Sequence, residues 1–157
     1  MKPEAEPRLH IVLICPEIGP NAGNVGRLCL GIQATLHLVH PLGFQTDDKA
    51  VRRAGLDYWK HVNVVEHETE DAFWQWASGR QVHLFSAHGQ QAHTAAPYAP
   101  GCVLVFGRES VGLPKDLIER HGGYRIPMTG AIRSLNLANA VAVVAYAALQ
   151  QVDPELF

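Results

Sequence analysis

Apolar residues in this chain come in short, nearly unbroken runs, separated by polar stretches rich in glycine and proline. The runs are Leu9 to Ile14, Thr35 to His40, Val62 to Val65, Val82 to Ser86 and Cys102 to Phe106. Such runs suit parallel strands buried on both faces. A sixth ends in Ile126-Pro127, where proline cannot donate to a sheet ladder and stops the strand. Helical segments lie between them: Asn21 to about Ala34 with Asn21 as cap, Thr69 to about Ala77, Lys115 to about Arg120 ended by Gly122-Gly123, and Asn136 to Gln150. Thr46 or Asp47 opens one more, a short basic helix carrying Lys49, Arg52 and Arg53 and closed by Gly55. The alternation predicts an α/β protein with a mainly parallel six-stranded sheet.

The last helix is apolar on nearly every face, the pattern of a helix buried on all sides. A membrane span needs about 20 apolar residues, and this segment is shorter and opens with Asn136 and Asn139. It reads as a core helix that also meets a second subunit. Capping explains one of Ser134, Asn136 and Asn139. That leaves two polar side chains at the helix mouth, where a ligand meets donors, acceptors and the positive end of the helix dipole.

A length of 157 residues suggests one domain, residues 9–157. Met1 to Arg8, charged and without an apolar core, reads as a loose tail of a cytosolic protein. Cys15, Cys29 and Cys102 form no Cys-x-x-Cys pair and read as small buried hydrophobes. Of nine histidines, only His37 and His40 lie close in sequence, on a strand, so no metal site is expected. The formal charge of −2 gives no general pull on nucleic acid, so RNA binding would need a local patch.

Chemistry concentrates in three loops at strand ends, where ligands of parallel sheets bind: Pro16 to Asn24, Gly107 to Pro114 and Met128 to Ser134. Gly19, Gly23 and Gly26 do not have the dinucleotide spacing. Gly23, Gly26 and Gly31 are each costly in a helix, by about 1 kcal/mol, so something must approach closely there. Arg27 stands in that helix without an acidic neighbour. Gly107 and Gly112 lack the Lys and Ser/Thr of a phosphate loop, and Ser110 is not in a nucleophile elbow. What remains is a glycine loop with a carboxylate, Glu109, able to accept hydrogen bonds from a neighbouring loop or a ligand. Arg52, Arg53 and Lys60 with Tyr58 and Trp59 suit either phosphate contact with base stacking or a solvated face over core aromatics. The stretch His88 to Gly101 yields no chemistry.

Together these loops resemble the three motifs of the SPOUT (SpoU-TrmD) RNA methyltransferases, from Leu9 to Gln150. The first motif is Asn21 through Arg27, the second Gly107-Arg108-Glu109-Ser110-Val111-Gly112-Leu113-Pro114. The third is Ile126-Pro127-Met128 with Ser134-Leu135-Asn136-Leu137. Pro16-Glu17-Ile18, Asp47-Asp48-Lys49 and Arg52 to Tyr58 look closest to the TrmL-type enzymes, which methylate the ribose 2′-hydroxyl of the wobble cytidine or uridine in tRNA. The resemblance implies a C-terminal deep trefoil knot, a homodimer and an anticodon stem-loop substrate. It also implies S-adenosyl-L-methionine held near Phe85, Ser86, Gly107, Arg108, Ile126, Met128, Ser134 and Leu135. Arg27 would be the base or its assistant. A guanidinium, with a pKa above about 12, hardly deprotonates near neutrality, so gripping a phosphate and orienting the hydroxyl, helped by Asn21 and Asn136, is physically easier. Glu109 and Ser134 would shape the cofactor loops and the reacting centre. A ribosomal RNA substrate and a non-catalytic, RNA-associated dimer are the rival readings.

Overall fold

The computed structural model describes residues 6–46 and 57–157. The basic helix expected from Thr46 or Asp47 to Gly55 lies outside the described residues.

Among the described residues seven strands form one sheet, all pairs parallel, in the order β3-β2-β1-β6-β4-β7-β5. They are β1 (Leu9–Ile14), β2 (Thr35–Val39), β3 (Val64–His67), β4 (Val82–Phe85), β5 (Gln91–Ala92), β6 (Cys102–Phe106) and β7 (Tyr124–Arg125). The expected count of six is corrected by β5, two residues long and inside the stretch that gave no reading. So short a strand carries no periodicity, and it exists because β7 offers it an edge. β1, β2 and β6 are buried along their whole length, as apolar runs interrupted only by His10, Thr35 and His37 lead one to expect.

Four α-helices flank the sheet among the described residues: α1 (Gly19–Ile32), α2 (Glu70–Ala77), α3 (Lys115–His121) and α4 (Leu137–Val152). One core lies on the face covered by α1 and α4, around Ile11, Leu13, Leu36, Leu104 and Val144; the other, around Val12, Phe73, Val105 and Ile118, lies under α2 and α3. Thr69 caps α2 as expected, its Oγ1 accepting from the Ala72 N–H at 3.0 Å. All three cysteines are buried and free. At the amino end, the Arg8 guanidinium pairs with Asp153 at 3.1 Å and the Arg8 carbonyl accepts from the Gly101 N–H.

The glycines of α1 divide. A Cβ on Gly26 would stand 2.6 Å from the Trp59 ring, and the Tyr58 hydroxyl donates to the Gly23 carbonyl at 3.0 Å, whereas Gly31 faces nothing within 4 Å. Tyr58 and Trp59 are therefore committed to packing on α1. Helix α4 buries one stripe, Val141, Val144, Ala145, Ala148 and Leu149, and leaves Val143 and Tyr146 exposed.

β7 lies between β4 and β5, which only residues 86–90 connect. That connection therefore straddles β7. Ser86 N–H donates to the Tyr124 carbonyl, Gln90 N–H to the Gly123 carbonyl, and a Cβ on Gly89 would overlap the Tyr124 and Arg125 backbone. Such a crossing departs from ordinary sheet connections; strand order alone does not display the trefoil knot that the resemblance implies.

Candidate active site

The loops after β1, β6 and β7 meet at the carboxyl edge of the sheet, and a line of hydrogen bonds joins them. Glu109, on the loop after β6, accepts from the backbone N–H groups of Glu17 at 2.7 Å and Ile18 at 3.3 Å. Helix α1 starts at Gly19 with Ile18 as its cap residue, and an isoleucine side chain cannot cap. A carboxylate 91 residues further along the chain takes that place, where the helix dipole also favours negative charge. Asn21 was expected as the cap; instead it sits in the first turn, 7% exposed.

Asn21 has another task. Its Nδ2 donates to Glu109 Oε1 at 3.4 Å and its Oδ1 accepts from Asn136 Nδ2 at 3.1 Å. Asn136 Oδ1 accepts in turn from the N–H groups of Ala138 at 2.9 Å and Asn139 at 3.4 Å, capping α4. The order is self-consistent. An ionised carboxylate only accepts, so Asn21 must turn its amide nitrogen toward Glu109 and its oxygen toward Asn136. Asn136 must then present its oxygen to the helix.

A reverse contact, which the sequence reading missed, doubles the link. Glu17 Oε1 accepts from the Ser110 N–H at 3.0 Å and the Ser110 hydroxyl at 2.6 Å. Those bonds hold the Glu17 carboxyl below the usual carboxylate range, with Arg108 adding a smaller push the same way. Its only sequence signal is a lone acid in the loop between Pro16 and Pro20.

Gly107 has no room for a side chain, since a Cβ would overlap the Gly112 carbonyl carbon and the Leu113 nitrogen. The loop closes there because Gly112, at φ 67, donates its N–H to the Arg108 carbonyl at 2.8 Å. Arg27 is exposed on α1, 5.9 Å from the Tyr58 ring centroid, and makes no ion pair among the described residues.

The expected cofactor residues sit at the ends of adjacent strands. Phe85 and Ser86 end β4, Gly107 and Arg108 follow β6, and Ile126 follows β7, in a sheet where β6, β4 and β7 are neighbours. Phe85 is buried and stacked on Phe106 at 5.1 Å, while the Ser86 hydroxyl accepts from the His88 N–H. Met128 and Ser134 are exposed, Ile126 and Leu135 half-buried. The backbone from Met128 to Leu135 makes no hydrogen bond to other backbone of the described residues. Ser134 makes no side-chain hydrogen bond within the described chain, and nothing brings it to the Glu109–Asn21–Asn136 line except its place two residues before Asn136.

Buried histidines form a separate cluster under α2. His10 Nδ1 meets His37 Nε2 at 2.9 Å, and His37 Nδ1 meets His67 Nε2 at 2.9 Å. No group of three or more metal-ligating side chains suited to an ion occurs among the described residues, and no helix there is long and apolar enough to cross a membrane.

A parallel α/β sheet with glycine loops at its carboxyl edge is the architecture in which ligands bind beyond the strand ends. The chain belongs to the SpoU rRNA Methylase family, whose profile matches residues 8–146. It is 46% identical over 146 residues to the tRNA (cytidine(34)-2′-O)-methyltransferase of Aeromonas hydrophila, covering 91% of this chain and 94% of that one. A structure solved for the 2′-OH methylation of C/U34 on tRNA superposes with a TM-score of 0.86 at 44% identity, over 94% of this chain and 97% of that one. An AdoMet-bound rRNA methyltransferase from Sinorhizobium meliloti gives 0.76 at 29% identity, over 93% of this chain but 57% of that one.

Proposed function

We propose that this protein transfers the methyl group of S-adenosyl-L-methionine to the ribose 2′-hydroxyl of the wobble nucleotide, cytidine or uridine, of tRNA. The observation that carries the reading is the line from Glu109 through Asn21 to Asn136, which ties three strand-end loops into one polar site in a chain whose full-length relatives are named for that reaction. The ribosomal alternative is disfavoured by the relatives, since those at 42% and 46% identity carry tRNA names while the rRNA enzyme is 29% identical.

Backbone groups from Met128 to Leu135, with Phe85, Ser86, Gly107, Arg108 and Ile126, hold the cofactor. Bound there, S-adenosyl-L-methionine supplies an electrophilic sulfonium methyl group. Arg27 grips a phosphate and orients the 2′-hydroxyl, because positioning is what a permanently charged fork does well. Asn21 and Asn136 keep their amides fixed beside it, Glu109 sets their direction, and Ser134 shapes the reacting centre. The exposed Val143 and Tyr146 of α4, with Leu30 of α1, form the face on which a second copy docks as a homodimer. The C-terminal segment is tied as a deep trefoil knot, the substrate element is the anticodon stem-loop, and the enzyme works in the cytoplasm.

The test is an assay with tritiated S-adenosylmethionine and total tRNA from a strain deleted for this gene, with nuclease digestion to locate the label. Label on a wobble 2′-oxygen is expected. Transfer to ribosomal RNA instead would move the substrate, and cofactor binding without any transfer would leave a non-catalytic binder.

A further inference from the structure

The formal charge of −2 demands a local patch for RNA, and the described residues contain one that shares only Arg108 with the residues proposed to hold the cofactor. On the α2 and α3 side of the Gly107–Pro114 loop is an open cleft of about 270 Å³. Its floor is apolar, Ile14 and Leu113, both buried. Its rim carries Arg108, Lys115 and His88, with one carboxylate, Glu70. Neither Arg108 nor Lys115 makes a salt bridge among the described residues, although the Glu17 carboxylate outside the cleft feels the Arg108 charge. Along the cleft lining itself, two fixed positive charges stand against one negative.

Size narrows the ligand. Sites for drug-sized molecules run from about 300 Å³ upward, so this cleft suits a phosphate with part of its sugar. Location narrows it further. The Gly107–Pro114 loop lines the cleft through Arg108 and Val111 to Pro114 and reaches Asn21 through Glu109, so a strand crossing the sheet edge with its target ribose near Asn21 brings a flanking phosphate over the cleft. We propose that this cleft is an RNA phosphodiester seat, in which Arg108 and Lys115 hold a phosphate next to the target nucleotide and Glu70 limits the charge. The inference rests on the tRNA reading above. A carboxylate of the cofactor is the other anion within the same chemistry, and the experiment separates the two.

Lys115 is exposed in the first turn of α3, so its replacement leaves the core intact. Affinity for tRNA is measured across a salt series for wild type, Lys115→Ala and Glu70→Gln, with cofactor affinity measured by calorimetry for each. One phosphate contact contributes about 0.9 to the slope of log K against log salt. Lys115→Ala should flatten the slope by that amount, weakening binding about eightfold at 0.1 M salt relative to 1 M. Glu70→Gln should act in the opposite direction, tightening tRNA binding about threefold. Cofactor affinity should not move in either. An unchanged slope in Lys115→Ala, with wild type binding and methylating tRNA, overturns the seat alone. A weakened cofactor with unaltered tRNA binding assigns the cleft to the cofactor and likewise overturns it. Wild type that neither binds nor methylates tRNA overturns the seat together with the function it rests on.

Discussion

Two polar networks cross this molecule, and they are built on opposite terms. At the carboxyl edge, the line runs from half-buried Glu109 through buried Asn21 to exposed Asn136 and connects loops far apart in sequence. Under α2, His10, His37 and His67 run through a buried layer covered by the Trp76 ring, which lies 4.3 Å from the His37 ring centre. The first network starts from a charge, and that charge sets the direction of every amide after it. The second has no charge to orient it. In either tautomeric register the His10 Nε2 atom is left buried without a partner, as a bare acceptor if protons point toward His67 and as a bare donor if they point toward His10. A network that directs chemistry is thus anchored on an ion near solvent, while one that fills the sheet must stay neutral.

The largest expected effect belongs to Arg27, on the helix that also carries Asn21. Arg27→Ala should abolish methyl transfer, by at least about a hundredfold, because misplaced reactants alone cost that much. Cofactor affinity by calorimetry and the mass of the proposed dimer by sedimentation should be unchanged, since Arg27 is exposed and makes no ion pair among the described residues. Loss of the dimer in this variant would return Arg27 to a structural role.

Next comes the loop from which Glu109 projects. Gly107→Ala should cut cofactor affinity more than about tenfold, because its Cβ would overlap the backbone of Gly112 and Leu113 and the loop must open to admit it. Calorimetry reads the loss directly. If affinity holds while tRNA methylation falls, the loop orders the catalytic side and not the cofactor side.

This loop also shows what could be read from sequence. Apolar runs stopped by Pro16, Gly107 and Pro127 placed three loops at strand ends, because breakers act locally. Thr69 was legible for the same reason. Glu109 as the cap of α1 was not, for the bond spans 91 residues and no local pattern reports a partner that distant. The histidine line failed likewise: its members stand 27 and 30 residues apart on separate strands, and only the sheet register makes them neighbours. Gly26 announced a close approach, but Trp59 as the group approaching is a fact of packing.

The buried line should dominate the response to acid. Burial holds His10 down to about 4, with Arg80 lowering it further and Glu6 opposing. Burial, then the neighbouring histidines, then Arg80, hold His37 down to about 3. Against an unfolded value of 6.5, the unfolded chain takes up protons that the native one refuses. Stability is therefore full above about pH 6.5 and falls as the pH drops toward 4, by on the order of 1 kcal/mol per pH unit for each histidine. His67, lowered by burial, adds in the same direction. Denaturant titrations at pH 7.5 and 5 should show this loss, and a flat profile would mean that water reaches the rings. His37→Ala at pH 7.5 should cost about 2 to 5 kcal/mol by orphaning nitrogens on both neighbours, without altering cofactor affinity.

The smallest effect belongs to Glu17, and it orders the two networks in acid. Its carboxyl is lowered by the Ser110 hydrogen bonds from a starting value of 4.5, so what it contributes is present above 4.5 and is lost only as the pH falls below that. The histidines, lowered from 6.5, begin to give way two units earlier. The deeper network therefore fails first, because it resists acid only by excluding protons that the unfolded chain accepts freely. Glu17→Gln keeps an acceptor for Ser110 and removes the charge. It should weaken cofactor binding only a few-fold near neutrality and leave the fall in stability between pH 6.5 and 4.5 untouched. If that fall moved instead, the loops and the histidine line would be one coupled network, joined through β1, whose second residue is His10 and whose end leads into Glu17.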